Sequence, residues 1–285
     1  MKCDLNEATR VQIPAMELIN VFPLNFAFFW GWQKAKNPRS SHMGFGKEGK
    51  RRRMSGAGKP DFFYREAQRL GFVARSAFKL LQMQKQYKLI TPGSSVLDLG
   101  CAPGAWLQVA CQSLGPPKNG GAVVGIDLKK VKVPSMHCDA RVQTVCANVM
   151  NLPRGQVRAL SPQQKGFSVI LSDMCPLVSG IATKDAALSA ELGMQALNLA
   201  VGGAALVQSD DNFQVEGQSD SSSSVQNDGG VLQLGGHLVI KLLESEDVKE
   251  FNQICKPLFR KASWLRPKAT RSCSREIYLI CQGLR

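Results

Sequence analysis

The sequence is poor in the groupings that hold metals. Its three histidines, His42, His137 and His237, stand far apart, and no two of its nine cysteines form a Cys-x-x-Cys pair, the spacing on which zinc sites are commonly built. No metal centre is expected. Cys146 and Cys281 instead fall inside apolar runs, as buried free thiols do in a reducing compartment. Long apolar runs are missing too. The most apolar stretch, residues 18–32, contains Pro23 and Asn25 and is shorter than the roughly 20 residues that span a bilayer, so stable membrane insertion is not expected. Acids are scarce: 36 Lys and Arg against 22 Asp and Glu leave a net charge of +14. That imbalance favours a polyanionic partner, with RNA, DNA and an acidic membrane surface as the candidates.

What is present suits one α/β domain with additions. Residues 1–58 combine the aromatic run with a basic stretch that includes Lys34, Lys36, Arg39, Lys47 and residues 50–53. They read as an extension to the core and a targeting segment, which makes a mitochondrion or chloroplast the expected destination and the cytoplasm or nucleus the alternative. The acids Asp4, Glu7 and Glu17 are atypical of such segments. From residue 59 to 285 the pattern is that of a catalytic domain. Apolar strands are expected at 95–99, 122–127, 142–147, 167–172 and 237–242, with helices near 61–70, 74–87, 104–114, 185–201 and 245–258. This alternation implies a Rossmann-like, mainly parallel sheet covered on both faces. Residues 263–266 and 276–281 suit a closing antiparallel hairpin. Residues 207–229 hold five acids, a run of four serines and no Lys or Arg. They read as a disordered insertion, and the rest of the chain is accordingly more cationic than the total.

The strongest local signal is Val96-Leu97-Asp98-Leu99-Gly100-Cys101-Ala102-Pro103-Gly104-Ala105-Trp106, an apolar strand entering a glycine-rich turn and then a helix. Gly100 and Gly104 let backbone approach a ligand, and the free N–H groups of the helix start suit a carboxylate. The spacing is Gly-x-x-x-Gly, not the Gly-x-Gly-x-x-Gly of nicotinamide sites, which demotes a dehydrogenase. Asp127 closes the second strand, where acids accept hydrogen bonds from a ribose diol. Asn148, after the third, could pair with an adenine edge. Together they describe an adenosyl cofactor site, although a lone Gly-x-x-x-Gly is more often only a tight turn.

With these residues in place the chain resembles the FtsJ/RrmJ (RlmE) family of RNA 2′-O-ribose methyltransferases. The similarity runs over about 59–285 apart from the insertion. It rests on five motifs: Arg75-Ser76-Ala77-Phe78-Lys79-Leu80, the turn at 98–106, Ser172-Asp173-Met174-Cys175-Pro176, Gly235-Gly236-His237-Leu238-Val239-Ile240-Lys241, and Ser274-Arg275-Glu276-Ile277-Tyr278. The resemblance implies a catalytic set of Lys79, Asp173, Lys241 and Glu276, with Lys241 as proton acceptor. It also implies S-adenosyl-L-methionine as cofactor, held by Gly104, Trp106, Asp127, Asn148 and Asp173. Two residues depart from the bacterial pattern: Asn148 stands where Asp is typical, and Ala105 replaces a second glycine.

The implied chemistry is methylation of a ribose hydroxyl, for which alignment supplies about 7–11 kcal/mol and a general base roughly 3–5 kcal/mol. The short form and the Ser-Asp-Met-Cys-Pro motif look closest to members acting on a uridine of large-subunit ribosomal RNA or a pre-ribosomal particle. Transfer-RNA anticodon-loop methylation is the alternative within the enzyme class. A non-catalytic RNA-binding assembly factor is the alternative outside it. Basic residues from Lys256 to Arg275, with Trp264 for stacking, are expected to meet RNA phosphates.

Overall fold

The computed structural model describes residues 61–203, 229–246 and 248–285. The extension at 1–58, and the insertion apart from Gly229, lie outside the described residues. Among the described residues there are seven strands: β1 (Ser95–Leu99), β2 (Ala122–Asp127), β3 (Val142–Cys146), β4 (Phe167–Ser172), β5 (Leu232–Leu243), β6 (Phe259–Leu265) and β7 (Glu276–Leu284). The helices are α1 (Phe62–Arg69), α2 (Ala77–Tyr87), α3 (Ala105–Ser113), α4 (Arg154–Ala159), α5 (Ala182–Val201) and α6 (Val248–Leu258). Among the described residues no helix is long and apolar enough to cross a membrane.

The strands form one sheet in the order β3-β2-β1-β4-β5-β7-β6. The first five are parallel, and β7 slots between β5 and β6, antiparallel to both. From β1 the chain winds outward to β3, then returns to lay β4 on the other side. This reversal opens a crevice at the carboxyl ends of β1 and β4, where ligands bind in such sheets.

Covering both faces explains why β1 is buried at every position and reads as a continuous apolar run. On one face Ala67 of α1, Leu80 and Met83 of α2 and Leu107 of α3 pack against Val96, Val239 and Ile280. On the other, Val157 of α4, Leu197 of α5 and Phe251 of α6 pack against Leu97, Ile170 and Ile240. The period of two along β5 therefore sends Val239 and Lys241 to the α2 face, and Ile240 and Leu242 away from it.

Several boundaries differ from expectation; α5 starts at Ala182 and β7 runs on to Leu284, for instance. Strand β5 starts at Leu232, five residues early, because a register shift between Phe167 and Val169 of β4 absorbs a glycine bulge. Gly235 there has φ +77, and a Cβ on Gly236 would lie 2.7 Å from the Gln233 carbonyl oxygen, so only glycine fits. Strand β6 starts at Phe259 directly after α6. It is the sheet edge, and its exposed Arg260 and Lys261 guard that edge against pairing with another chain. Helix α2 begins at Ala77, after a turn at 74–76.

Candidate active site

The cofactor end of the crevice is built around the turn after β1. Gly100 N–H and Cys101 N–H both donate to the Ile126 carbonyl, fastening the turn to β2. A Cβ on Gly100 would lie 3.0 Å from the Met174 backbone, and one on Gly104 (φ +109) 2.9 Å from Pro134 Cγ. Gly104 also precedes α3 without any side-chain cap, so the first-turn N–H groups at Ala105 and Trp106 face the turn as a partial positive charge.

Asp127 ends β2 and accepts the Ala102 N–H (3.0 Å) on one carboxylate oxygen and the Lys129 N–H (2.8 Å) on the other. It thus shapes the turn as well as facing the crevice. Asn148 is exposed after β3, and its side-chain oxygen caps the next turn by accepting the Met150 N–H at 3.0 Å. Trp106 is 3% exposed. Its indole N–H donates to the Ser76 carbonyl at 2.9 Å and its ring lies 6.0 Å from that of Tyr278, so only its backbone remains for a ligand.

Beneath the turn sits Asp98, fully buried, with neither carboxylate oxygen hydrogen-bonded. Burial, reinforced by repulsion from Asp173 and Asp127, pushes its carboxyl well above the usual range. Both effects favour its protonated form.

The second half of the site lies on the α2 face. Lys241 of β5 pairs in register with Tyr278 of β7, and Glu276 lies two residues from Tyr278 on the same face of its strand. Asp173 follows β4, the parallel neighbour of β5. Lys79 reaches in from α2, buried although helical lysines usually face solvent. Two ion pairs result: Lys79 Nζ to Glu276 Oε2 at 2.6 Å, and Lys241 Nζ to Asp173 Oδ1 at 3.2 Å. Lys241 Nζ also donates to the Asp173 carbonyl, and the Tyr278 hydroxyl donates to Asp173 Oδ1 at 2.8 Å. The Lys241 side chain is 3% exposed, whereas those of Asp173 and Glu276 are 18% and 20% exposed.

The charges follow from these neighbours. Burial pulls the Lys241 ammonium down, but attraction from Asp173, Cys175 and Glu276 outweighs it and leaves the group raised. Burial pushes Glu276 up, but Lys79 and then Lys241 reverse this and lower it. The arrangement therefore favours the ammonium form of Lys241 and the carboxylate form of Glu276.

A chain with this sheet order and these four side chains invites comparison with known methyltransferases. The family model described as FtsJ-like methyltransferase matches residues 72–284. The chain belongs to this family. A protein of Desulfatibacillum aliphaticivorans named ribosomal RNA large subunit methyltransferase E is 36% identical, over 77% of this chain and 88% of that protein. A protein of the same name from Syntrophobacter fumaroxidans is 34% identical, over 79% and 96%. In fold the chain is similar to a Plasmodium falciparum protein described as a ribosomal RNA methyltransferase. There the TM-score is 0.54 at 21% identity, over 75% of this chain and 98% of that one.

The FtsJ-like domain gathers Lys79, Asp173, Lys241 and Glu276 at one place, as the motif order implied. Gly104, Asp127 and Asn148 border the crevice. The basic run after α6 is divided among several tasks. Arg266 pairs with Glu244 at 3.4 Å, and Arg275 donates to the carbonyls of Ala182 and Glu244. Trp264 packs, partly buried, against the core. Sequence reasoning assigned no role to Tyr278, whose only signal was its place inside the Glu276 motif, nor to Asp185, which nothing marked.

Proposed function

We propose that this FtsJ-like methyltransferase moves the methyl group of S-adenosyl-L-methionine to a ribose 2′-hydroxyl of RNA, with a uridine of large-subunit ribosomal RNA as the target. The observation that carries this reading is the pair of ion pairs, Lys79–Glu276 and Lys241–Asp173, converging beside the crevice. The names of the bacterial relatives support ribosomal RNA as the substrate.

The residues fit that cofactor. The first-turn N–H groups of α3 suit its carboxylate, Asp127 its ribose diol and Asn148 its adenine edge. The acids Asp127 and Asp173, both close enough to raise Asp98, favour a cation beside them. When bound, the cofactor supplies a methyl group already activated by its positive sulfur. Lys79 and Lys241 then hold the ribose oxygen in line, and Lys241 takes its proton. Because Lys241 rests as an ammonium, it must first release its own proton to solvent, and the positive charge of a bound cofactor would lower the cost of that release. Tyr278 and the Asp173 carbonyl fix the direction in which Lys241 Nζ points.

The deciding experiment supplies tritium-labelled cofactor and large ribosomal particles from cells lacking the protein, followed by digestion to nucleosides. Label in 2′-O-methyluridine supports the reading. Label on a base, or only in transfer RNA, replaces it. For residues 1–58 an organelle-targeting role is proposed. A fusion of residues 1–60 to a fluorescent reporter should enter a mitochondrion or plastid, and a uniform cytosolic or nuclear signal would reject that.

A further inference from the structure

The loop that leaves β4 immediately after Asp173 carries three aliphatic side chains in water. Leu177 is 95% exposed, Val178 68% and Ile181 59%. Isolated exposed aliphatics are ordinary, but three within five residues form a patch, and such patches mark contact surfaces.

This loop is not free to fold its apolar groups inward. Asp185, 3% exposed on the first turn of α5, accepts the Ser179 N–H (2.8 Å) and Ser179 hydroxyl (2.7 Å) on Oδ1, and the Gly180 N–H (3.2 Å) on Oδ2. The Asp185 N–H returns a bond to the Ile181 carbonyl at 2.9 Å. From the other side Arg275, the neighbour of Glu276, ties the Ala182 carbonyl at 3.2 Å to the Glu244 carbonyl at 2.6 Å. Asp185 holds the loop to the start of α5, and Arg275 holds that start to the strand ends that carry Lys241 and Glu276. At its near end Cys175 lies close enough to Lys241, Glu276, Asp173 and Lys79 to feel all four charges.

We propose that Leu177, Val178 and Ile181 form the surface on which the target nucleotide's base docks, and that Asp185 is the positioning residue that presents it. The proposal rests on RNA as the substrate. A ribose hydroxyl aligned between Asp173 and Lys241 carries its base on the adjacent ring carbon, so the base must fall within a few ångströms of the site. The pinned aliphatic loop begins there. A nucleobase face is flat and largely apolar, and an aliphatic surface accepts it without reading its hydrogen-bonding edge. That edge stays free for other contacts.

The test uses the full-length enzyme, saturating cofactor and large ribosomal particles from cells lacking the protein. Replacing Leu177, Val178 and Ile181 together by Ser should raise KM for particles at least tenfold, with kcat within threefold of wild type and cofactor Kd unchanged. Asp185→Ala should shift KM in the same direction with no loss of cofactor affinity, and Asp185→Glu should recover part of it. Ultraviolet crosslinking of a trapped complex followed by trypsin should place a nucleotide on the peptide 166–184. An unchanged KM in the triple variant, or crosslinks from this peptide to a ribosomal protein instead of RNA, overturns the proposal while leaving RNA methylation standing. Failure of the wild-type enzyme to label any RNA removes both.

Discussion

The Lys241–Asp173 pair serves packing and chemistry at once, and a double substitution separates the two. Lys241→Met keeps the length and apolar stem of the side chain but removes its charge, leaving Asp173, 18% exposed at its side chain, with the Tyr278 hydroxyl as a partner. Breaking one side of a buried pair costs about 3–5 kcal/mol. Solvent access to Asp173 places the cost at the lower end, near 3 kcal/mol. For a domain of this size that lowers Tm by roughly 6–12 °C. Adding Asp173→Asn removes the stranded charge, so the double variant should regain most of the loss, because replacing both partners is nearly neutral. Activity should not follow stability. Lys241→Met should lose ~10²–10⁴-fold in kcat, as expected of general-base removal, with cofactor Kd nearly unchanged. The double variant should be as inactive as the single. Lys241→Arg completes the series, since guanidinium keeps the pair with Asp173 yet cannot release its proton near neutral pH. Thermal denaturation and single-turnover methyl transfer at saturating cofactor measure both properties on the same preparations. Substantial turnover in Lys241→Arg, or recovery of turnover along with stability in the double variant, would refute Lys241 as the proton acceptor and leave it a structural cation.

Three further outcomes are expected. Asp127→Ala frees the Ala102 and Lys129 amides and should weaken cofactor binding about tenfold or more by calorimetry, while kcat at saturating cofactor recovers much of its wild-type value. Gly104→Ala places a Cβ against Pro134 at φ +109; it should cost about 1–3 kcal/mol of stability and reduce cofactor affinity, and wild-type values for both would show that the turn adapts. His237 accepts the Gly283 N–H on Nδ1, and burial holds its ring below its ordinary value of 6.5. Its neutral form is thus favoured by folding. Stability should fall as pH drops below about 6.5, and His237→Asn should flatten that slope in urea titrations.

Lys79, Asp173, Lys241 and Glu276 were legible only through the family resemblance, whereas the cofactor end of the site was legible from periodicity. Strands β1, β2 and β4 are fully covered, so their apolar runs marked their ends to the residue. Asp127 and Asp173 stand at or just beyond the ends of β2 and β4, where the crevice opens. Legibility failed where glycine or charge served a non-standard purpose. Strand β5 was expected only from residue 237, since nothing local distinguishes a glycine bulge within a strand, as at Gly235 and Gly236, from the turn that precedes one. Arg260 and Lys261 read as part of an RNA surface; their place on the edge strand β6 was not legible, because it is fixed only when β7 inserts between β5 and β6.

The charge state of Lys241 belongs to the same class of global property. From the sequence, Lys79 could have held Lys241 neutral by repulsion, or the two acids could have held it charged. The fold decides for the acids, because Asp173 and Glu276 both lie close enough to Lys241 to raise it, and Glu276 also pairs with Lys79 at 2.6 Å. The same contact has a chemical consequence. Removing Glu276 should expose Lys241 to the Lys79 ammonium and lower its pKa, while also loosening the hold on Lys79. In Glu276→Gln the pH–rate profile should therefore move to lower pH even as its plateau falls. A reduced plateau with an unmoved profile would show that Glu276 acts by placement alone and that the two ammonium groups do not sense each other.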